Sequence, residues 1–489
     1  MMNSAKIFII LFLTSYFICF AQQKNDNFIY ATLESNHANE LKLKFPKQIE
    51  IIESKNNLAA VYFDMNLVEE LHQKILSHGP GYIFHPNLQL AKNALTVNHF
   101  QPKIALNYTI SEQEYVNKIL NDVEEKEIEN IILKLENFKT RHHLSVESNL
   151  AAEDLKNTWE NLIKKAGREN DISVKLVSHV NTPMKSVVLT IKGNNLASEY
   201  VIIGGHLDSI ITHSDQSFAP GADDNASGIA TITEILRVLL NNNFYPERTV
   251  EIMAYAAEEI GLVGSNEIAI DYKNKNIDIY GYLQFDMTGF KGSVDDIYIT
   301  TDTFNNNNLN LFLFQLMEEY NKKGNHQFTY NTTRCNYGCS DHYSWATKGY
   351  AAAFPFEASF DETSPFIHTI DDTYKNMNFS TAHAAKFVKL GLEFVVEMSK
   401  LKKSLNTIDH PMQNLNKFYT NGKSLGFEID RIYKIESALI LNTSGQKVFS
   451  KFNLNKKDKV NLTHLPTGAY ILILETDLGE KITHKFLLN

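Results

Sequence analysis

The sequence lacks an excess of positive charge. Its 489 residues contain 47 Lys and Arg against 57 Asp and Glu, which gives a formal net charge of -10, and no basic run is long enough to follow a phosphate backbone. This balance argues against nucleic acid as the main partner. Long apolar runs are scarce as well, because the run from Ile7 to Phe20 is too short to span a bilayer. We therefore expect no integral membrane segment in the processed chain.

The N-terminal apolar run has the layout of a secretory signal. Lys6 precedes it and Ala21 follows it, so cleavage is expected after Ala21. A lipoprotein signal at Cys19 is disfavoured because a bulky isoleucine precedes that cysteine. The chain has only three cysteines, and removal of the signal leaves Cys335 and Cys339. In an oxidising compartment these two are expected to form a disulfide that holds a local loop.

The length allows two or three domains. Between about 185 and 400, nearly continuous apolar runs alternate with helical patterns, which predicts an α/β fold: a mostly parallel mixed sheet covered by helices on both faces. A charged amphipathic helix is predicted over about 111–138. The expected segments are a signal peptide (1–21), a small α+β region (22–100), the α/β domain (103–402), a polar linker (403–417) and a small all-β domain (418–489).

The stretch "PGADDNASG" raises a question about charge. Asp223 and Asp224 stand side by side just before a helix predicted over 228–240. Apolar residues such as Ile229 and Leu236 recur at helical spacing in it. One carboxylate is explained as a helix N-cap, but two so close repel each other unless a positive charge is near. The stretch contains no Arg or Lys, so a metal ion is the remaining candidate.

Further titratable side chains follow the predicted strands. Ligands of open α/β sheets bind at the carboxyl ends of the strands, so these side chains should meet at one edge. Imidazoles together with carboxylates suit zinc or a similar divalent ion. Their number exceeds the three protein ligands of a single catalytic zinc, which favours two ions sharing a carboxylate. The residues are His206, Asp208, Glu258, Glu259, Asp286 and His368.

Six ordered motifs make residues of about 103 to 402 resemble the M28 family of zinc peptidases, specifically its secreted bacterial leucyl aminopeptidases. They are "GGHLDS", "PGADDNASG", "YAAEEIGLVGS", "LQFDM", "CNYGCSDH" and "PFIHT". The resemblance implies two zinc ions per chain, with Asp223 as the bridging ligand and a cis peptide between Asp223 and Asp224. It implies Glu258 as general base and Tyr337 facing the substrate carbonyl. The implied metal ligands are His206, Asp223, Glu259, Asp286 and His368, supported by Asp208 and Asp224.

We therefore predict an aminopeptidase that prefers large apolar N-terminal residues. Phe354 and Thr363 stand where relatives often carry other side chains, which leaves the preference among large apolar residues open. Asp341 and His342 are either structural or support the ligands, and His142 with His143 is expected on the surface. The predicted substrate pocket consists of Met287, Phe354, Phe356, Phe360 and Ile367.

The flanking regions resemble processing and export segments. Residues 22 to about 100 resemble the propeptide of such enzymes, which assists folding and covers the active site until it is removed. The tail from about 418 resembles the C-terminal sorting domain of the type IX secretion system, on "LILNTSGQKVFSK", "NLTHLPTGAYILILET" and "KITHKFLLN". The usual Pro-Asn-Pro entry is absent, and a β-sandwich adhesion module is the alternative.

Other activities remain open on the same scaffold. A dipeptidase, a carboxypeptidase and a glutaminyl cyclase are the enzymatic rivals, and a catalytically inactive binding module is a rival of another class. Cyclases of this fold do not need the first histidine, so His206 argues against that reading. Carboxypeptidases need a cation for the substrate carboxylate, and Arg334 is the only arginine in or beside the matched motifs. We expect a secreted monomer that acts on peptide N-termini and uses the type IX machinery for export.

Overall fold

The computed structural model describes residues 27–71, 78–95, 108–212, 215–378, 380–402, 417–429, 435–442, 445–455, 457–476 and 481–488. The predicted signal sequence and nearly all of the predicted linker lie outside these residues. The chain divides into two compact units, Met1–Lys402 and Lys403–Asn489.

The first unit begins with a four-stranded antiparallel sheet in the order β2-β3-β1-β4. Alternate strand residues, among them Leu33, Val61 and Phe63, are buried in one core cluster, where Leu41 of the first helix joins them. The intervening residue Ala60 packs on the opposite face with Ala91 and Leu95, so apolar residues are buried on both faces of this sheet. The elements are β1 (Phe28–Glu34), β2 (Ile49–Lys55), β3 (Leu58–Asp64), β4 (Tyr82–His85), α1 (Ser35–Lys44), α2 (Val68–Glu70) and α3 (Leu88–Ala94).

A six-stranded mixed sheet forms the centre of the same unit, in the order β12-β9-β7-β8-β6-β5. Strands β12, β9, β7 and β8 are parallel to one another, and β6 pairs antiparallel with both β8 and the edge strand β5. A separate three-stranded sheet has the order β11-β10-β13. The strands are β5 (Ile172–Val177), β6 (Ser186–Ile191), β7 (Leu196–His206), β8 (Arg248–Tyr255), β9 (Asp278–Gln284), β10 (Ile297–Thr300), β11 (Tyr330–Thr333), β12 (Ala352–Ala353) and β13 (Pro355–Phe356).

Helices cover both faces of the central sheet, which confirms the predicted fold class. In β7, Ile203 packs into the core cluster that contains α7 and α11, whereas its neighbour Ile202 packs into the cluster that contains α8 and α10. Both faces are thus apolar, as expected for a buried sheet. The helices are α4 (Gln113–Ile119), α5 (Glu125–Glu136), α6 (Val146–Ala166), α7 (Gly228–Asn241), α8 (Val263–Asn274), α9 (Asn307–Tyr320), α10 (His342–Ala346) and α11 (Ala384–Ser399).

The single amphipathic helix predicted over 111–138 is wrong, because the chain breaks between α4 and α5. Helix α7 satisfies the backbone groups at the break. The Glu124 N–H donates to Glu234 at 2.8 Å, and Arg237 donates to the Asp122 carbonyl at 2.6 Å. These tertiary hydrogen bonds outweigh the local helical pattern, which by itself carries no information about them.

The second unit is all-β, as predicted. It contains a three-stranded sheet, β14-β15-β18, and a four-stranded sheet, β17-β16-β19-β20, both antiparallel, around one apolar core. The strands are β14 (Lys417–Thr420), β15 (Ser424–Glu428), β16 (Ile435–Asn442), β17 (Lys447–Leu454), β18 (Lys457–Asn461), β19 (Gly468–Thr476) and β20 (Lys481–Leu488). Among the described residues of the whole chain, no helix has the length and apolar character needed to cross a bilayer.

Candidate metal centre

The predicted ligands meet at one edge of the central sheet. His206 is the last residue of β7, and Glu258 and Glu259 lie just after the end of β8 at Tyr255. Asp286 follows β9, and His368 lies in the loop after β13. Because β7, β8 and β9 are parallel neighbours, their carboxyl ends bring these side chains together. All five residues are buried, with at most 7% of any of them exposed.

Asp224 lies between the two histidines, with one carboxylate oxygen toward each. Its Oδ1 is 3.0 Å from His206 Nε2, and its Oδ2 is 3.0 Å from His368 Nε2. Asp286 Oδ1 lies 3.2 Å from His206 Nε2, and Glu259 Oε2 lies 3.0 Å from His368 Nε2. Potential ligand atoms lie close enough to hold an ion in three groups of three residues. Two of these groups share Asp224, one with His206 and Asp286 and the other with Glu259 and His368, and the third combines His206 with Glu258 and Glu259.

The donor set of this cluster fits divalent metal ions. Within the described part of the chain, the ion pairs of these buried carboxylates are made with histidines. Both oxygens of Glu258 are buried and accept no hydrogen bond from the described residues. Uncompensated buried carboxylates are costly, and imidazole nitrogens combined with carboxylate oxygens are ligands that suit zinc. The cluster thus has the ligand types and the excess negative charge that a metal site needs.

Burial and neighbouring charges divide the carboxylates into two kinds. Burial raises the pKa of Glu258 well above its usual range, and the adjacent Glu259 adds to this against the opposing influence of His206. Burial acts in the same direction on Asp224. There, however, hydrogen bonds from His206 and His368 outweigh burial and hold the pKa of Asp224 well below its usual range. A proton-accepting carboxylate beside an ionised one is a pattern found at sites of acid–base chemistry.

Asp208 ties two of the strand ends together. Its Oδ1 accepts the Glu258 N–H at 3.0 Å, and its Oδ2 accepts the Glu259 N–H at 3.2 Å. His206 Nδ1 lies 3.2 Å from the Asp208 backbone carbonyl oxygen and 3.5 Å from the same Oδ1. Asp208 therefore orients the imidazole mainly through its carbonyl and the glutamate pair through its carboxylate, a common arrangement behind metal ligands.

The assignment of Asp223 as the shared ligand is corrected by the structure, which brings Asp224 to that position. Asp223 Oδ1 accepts the Gly289 N–H at 2.9 Å, and its side chain contacts the carboxyl group of Glu357, away from the histidines. The Asp372 carboxylate accepts hydrogen bonds from the backbone N–H groups of Asp223 and Asp224, at 2.9 and 3.0 Å. These bonds turn the two adjacent side chains in different directions.

The cis peptide is likewise one residue later than predicted, between Asp224 and Asn225. Asn225 Nδ2 donates to the Phe285 carbonyl at 3.0 Å, and its Oδ1 accepts the Gly228 and Met287 N–H groups. The motif contains two adjacent aspartates, and its sequence gives no ground for choosing between them.

Tyr337 lies in the loop closed by the disulfide, which forms as predicted between Cys335 and Cys339 with a Cα–Cα distance of 6.2 Å. Asp302 holds this loop by accepting the backbone N–H groups of Cys335 and Asn336 at 3.0 and 2.7 Å. The Tyr337 side chain is buried, and its hydroxyl donates to a carbonyl of the N-terminal region, discussed below.

The five predicted pocket residues lie together in one apolar cluster beside the metal centre. Phe354 and Phe356 pack with ring centroids 5.4 Å apart, and Phe356 packs on Phe360 at 5.7 Å. Met287 is fully buried, whereas Phe360 and Ile367 are half-buried. The same cluster contains core residues of the N-terminal sheet, so in this chain the N-terminal region covers the pocket.

Two residues left open by the sequence lie next to the site. His342 is buried, and neither of its ring nitrogens is hydrogen-bonded to the described residues. Its ring packs on Phe354 at 4.8 Å, and burial lowers its pKa to about 3. Asp341 accepts a hydrogen bond from Gln284 at 3.3 Å, and burial raises its pKa to about 7. His342 thus packs behind Phe354, whereas Asp341 is tied to the end of β9.

The prediction that His142 and His143 lie on the surface is wrong. His143 is buried against Thr182, with its Nδ1 3.1 Å from Thr182 Oγ1, and His142 is half-buried. Arg141 is fully buried and donates to the carbonyls of Leu207 and Gly221, which flank the ligand loops. Sequence reasoning missed Arg141, Glu357 and Asp372, because each acts through the backbone or side chain of a distant segment.

A sheet edge that gathers two histidines and several buried carboxylates is typical of a metal-dependent hydrolase. Residues 186–392 match the model of peptidase family M28, and residues 420–489 match that of the secretion system C-terminal sorting domain. Leucine aminopeptidase 1 of Colletotrichum graminicola is 34% identical over 297 residues, covering 58% of this chain and 71% of the relative. A probable leucine aminopeptidase 1 of Trichophyton verrucosum is also 34% identical, covering 61% of this chain and 81% of the relative.

Solved structures agree with these relatives. LapA aminopeptidase of Legionella pneumophila matches with a TM-score of 0.64 and 26% identity, covering 77% of this chain and 99% of that one. LapB of the same organism has the same fold, with a TM-score of 0.65 and 24% identity over 76% of this chain and 99% of that one. The chain belongs to peptidase family M28, and the resemblance of its tail to a sorting domain is confirmed.

Proposed function

We propose that this chain is a secreted aminopeptidase that uses two zinc ions and removes large apolar residues from peptide N-termini. The observation that carries the proposal is the position of Asp224 between two groups of potential ligands, one with His206 and Asp286 and the other with Glu259 and His368. Three protein ligands per ion, with one carboxylate shared, is a plausible set for a pair of catalytic zinc ions.

The protein side of the chemistry follows from the positions of Glu258 and Tyr337. Bound zinc would supply the Lewis acidity that polarises the scissile carbonyl and lowers the pKa of water. Glu258 would accept the proton of the attacking water at a carboxylate oxygen and deliver it to the departing amine, a role for which both oxygens are free of hydrogen bonds from the described residues. The Tyr337 hydroxyl would donate to the carbonyl oxygen of the substrate.

Substrate selection would use the apolar cluster beside the centre. The aromatic rings of Phe356 and Phe360 offer apolar area to the first side chain of a peptide. The metal centre and its surrounding carboxylates would recognise the free α-amine. Curated relatives that carry the name leucine aminopeptidase support this preference for an apolar first residue.

The flanking regions would control where and when the enzyme acts. Residues 22–100 would be a propeptide that covers the pocket until it is removed. The C-terminal unit would direct export through the type IX secretion system, in agreement with the matched sorting-domain model. Deleting 418–489 should abolish export to the medium, and normal export of the shortened chain would contradict this role.

The test of the activity compares leucine p-nitroanilide with its N-acetylated form, using the exported chain after removal of the N-terminal region. We expect hydrolysis of the free-amine substrate alone, and loss of hydrolysis with a chelator that is reversed by added zinc. Glu258→Gln keeps the size and removes the base, so kcat should fall by about 100-fold or more while zinc stays bound. Cleavage of the acetylated substrate, or activity that survives chelation, would refute the proposal.

A further inference from the structure

The segment from His78 to Tyr82, called here the plug segment, lies against the candidate metal centre. It precedes and enters β4 of the N-terminal sheet, far from the ligands in sequence. Its first and last residues are buried, each 2% exposed. The segment contacts three parts of the predicted machinery: a metal ligand, the Tyr337 hydroxyl and the aromatic pocket.

The His78 imidazole points at the ligands. Its Nε2 lies 3.3 Å from Asp286 Oδ2, and neither ring nitrogen makes a hydrogen bond of good geometry to the described residues. The ring also packs on Phe356 and Phe360, with centroid distances of 5.5 and 6.4 Å. A fully buried imidazole with unused nitrogen atoms beside a metal ligand needs a partner, because burying an unsatisfied polar group is costly.

The backbone of His78 engages Tyr337. The Tyr337 hydroxyl donates to the His78 carbonyl oxygen, and the His78 N–H donates to the same hydroxyl at 3.1 Å. The His78 carbonyl therefore accepts from Tyr337 the hydrogen bond that we propose for the substrate carbonyl. The plug segment thus binds Tyr337 as a peptide would.

The next residue requires glycine. Gly79 has a φ of 66°, and a Cβ built on it would lie 2.2 Å from the Cys339 carbonyl oxygen. The plug backbone can therefore pass against the disulfide loop only without a side chain. Further along, the Phe84 N–H donates to the Gly261 carbonyl at 3.1 Å, which joins β4 to the loop that carries Glu258 and Glu259.

We infer that His78 is an additional ligand of the metal centre in the uncleaved chain, and that the plug segment holds the enzyme inactive by occupying the substrate's place. This rests on the proposed function. The plug is not itself a substrate because it is internal to the chain and has no free α-amine. Imidazole is a favoured ligand of zinc, and its tether keeps it at high effective concentration at the site. Removal of the N-terminal region would free both the ligand position and Tyr337.

Cobalt(II) gives a direct test, because its visible absorption responds to nitrogen ligation. The full chain is loaded with cobalt, its N-terminal region is verified intact by mass spectrometry, and wild type is compared with His78→Ala. We expect the spectrum to change in the variant and to return toward wild type when free imidazole is added. Uncleaved His78→Ala should also hydrolyse leucine p-nitroanilide about tenfold faster than uncleaved wild type. An unchanged spectrum would overturn the inference.

The matched control is His85→Asn, a second buried histidine of the same region. Its Nε2 lies 2.9 Å from Thr32 Oγ1 within the N-terminal sheet. His85→Asn should leave the cobalt spectrum as in wild type, and a spectrum like that of His78→Ala would overturn the inference. Gly79→Ala should relieve inhibition while His78 is still present, because the added methyl group cannot fit against Cys339.

A peptide assay covers the case in which His78→Ala fails to fold. Acetyl-HGPGY-amide is added to the mature enzyme beside acetyl-AGPGY-amide and a scrambled peptide, acetyl-GPHGY-amide. We expect the first to inhibit at least tenfold better than the other two, and equal inhibition by all three would overturn the inference. If mature wild-type enzyme cleaves no aminopeptidase substrate, the proposed function fails, whereas the cobalt spectra still decide the role of His78.

Discussion

Arg141 is the residue whose replacement tests best how the metal centre is held in place. Among the residues that the structure describes, its guanidinium donates to four backbone carbonyls and to no carboxylate: Leu207 at 2.8 Å, Leu135 at 3.3 Å, Pro220 at 2.6 Å and Gly221 at 2.7 Å. Leu207 separates His206 from Asp208, and Gly221 comes shortly before Asp224. The Arg141 guanidinium group therefore joins the two loops that carry the candidate metal ligands His206 and Asp224.

The expected loss of stability in Arg141→Met can be worked from these contacts. Hydrogen bonds to a charged group contribute about 1.5 kcal/mol each, or about 6 kcal/mol for the four. This value per bond is already net of the cost of desolvation, so the expected loss of stability is about 6 kcal/mol. Because the two ligand loops also lose their alignment, zinc affinity should fall by about 10- to 100-fold.

The assay measures zinc affinity by competition with a chelator, together with the thermal midpoint of unfolding. Arg168→Met is the matched control, since Arg168 is also buried but pairs with Asp171 and the Phe244 carbonyl, away from the ligand loops. Arg168→Met should lower the midpoint and leave zinc affinity unchanged. Arg141→Lys should recover part of the affinity, because an ammonium keeps the charge but not the fork. Wild-type zinc affinity in a folded Arg141→Met variant would refute the reasoning.

Two further predictions concern the acidic cluster and acid stability. Asp224→Asn should lose most bound zinc on dialysis, whereas Asp223→Asn should retain it, because Asp223 faces Gly289 and Glu357; equal metal contents would contradict the corrected assignment. Burial lowers the pKa of His383 to about 4. The unfolded chain, with a pKa near 6.5, therefore binds more protons between these values, and stability should fall by about 3 kcal/mol as pH drops from about 6.5 to 4. His383→Gln should flatten that dependence in thermal melts, and an unchanged slope would show that another group causes it.

Much of the site was predictable because sheet topology converts sequence order into spatial proximity. Apolar runs ending in His206, Glu258 and Asp286 identified strands whose carboxyl ends meet, and helix α7 began at the predicted residue. These inferences used local patterns and one general rule about parallel strands. The residue types at the strand ends by themselves indicated a metal site.

The choice between Asp223 and Asp224 could not be predicted. Adjacent aspartates differ in the direction of their side chains, and that direction follows from contacts with distant segments: Asp223 meets Gly289 and Glu357, whereas Asp224 meets His206 and His368. The break between α4 and α5 likewise depends on a distant segment, because Glu234 and Arg237 of α7 hydrogen-bond to the backbone at the break.

Local chemistry along the chain thus determined the strands, the helices and the kinds of ligand that would gather at one edge. Tertiary structure decided which aspartate lies between the two histidines and why Arg141 is buried. It also brought His78, which is distant from the predicted ligands in sequence, into contact with Asp286. Each of these features depends on a few hydrogen bonds or contacts between segments that are far apart in the chain. The partners that set the direction of such a side chain are not encoded in any local sequence pattern.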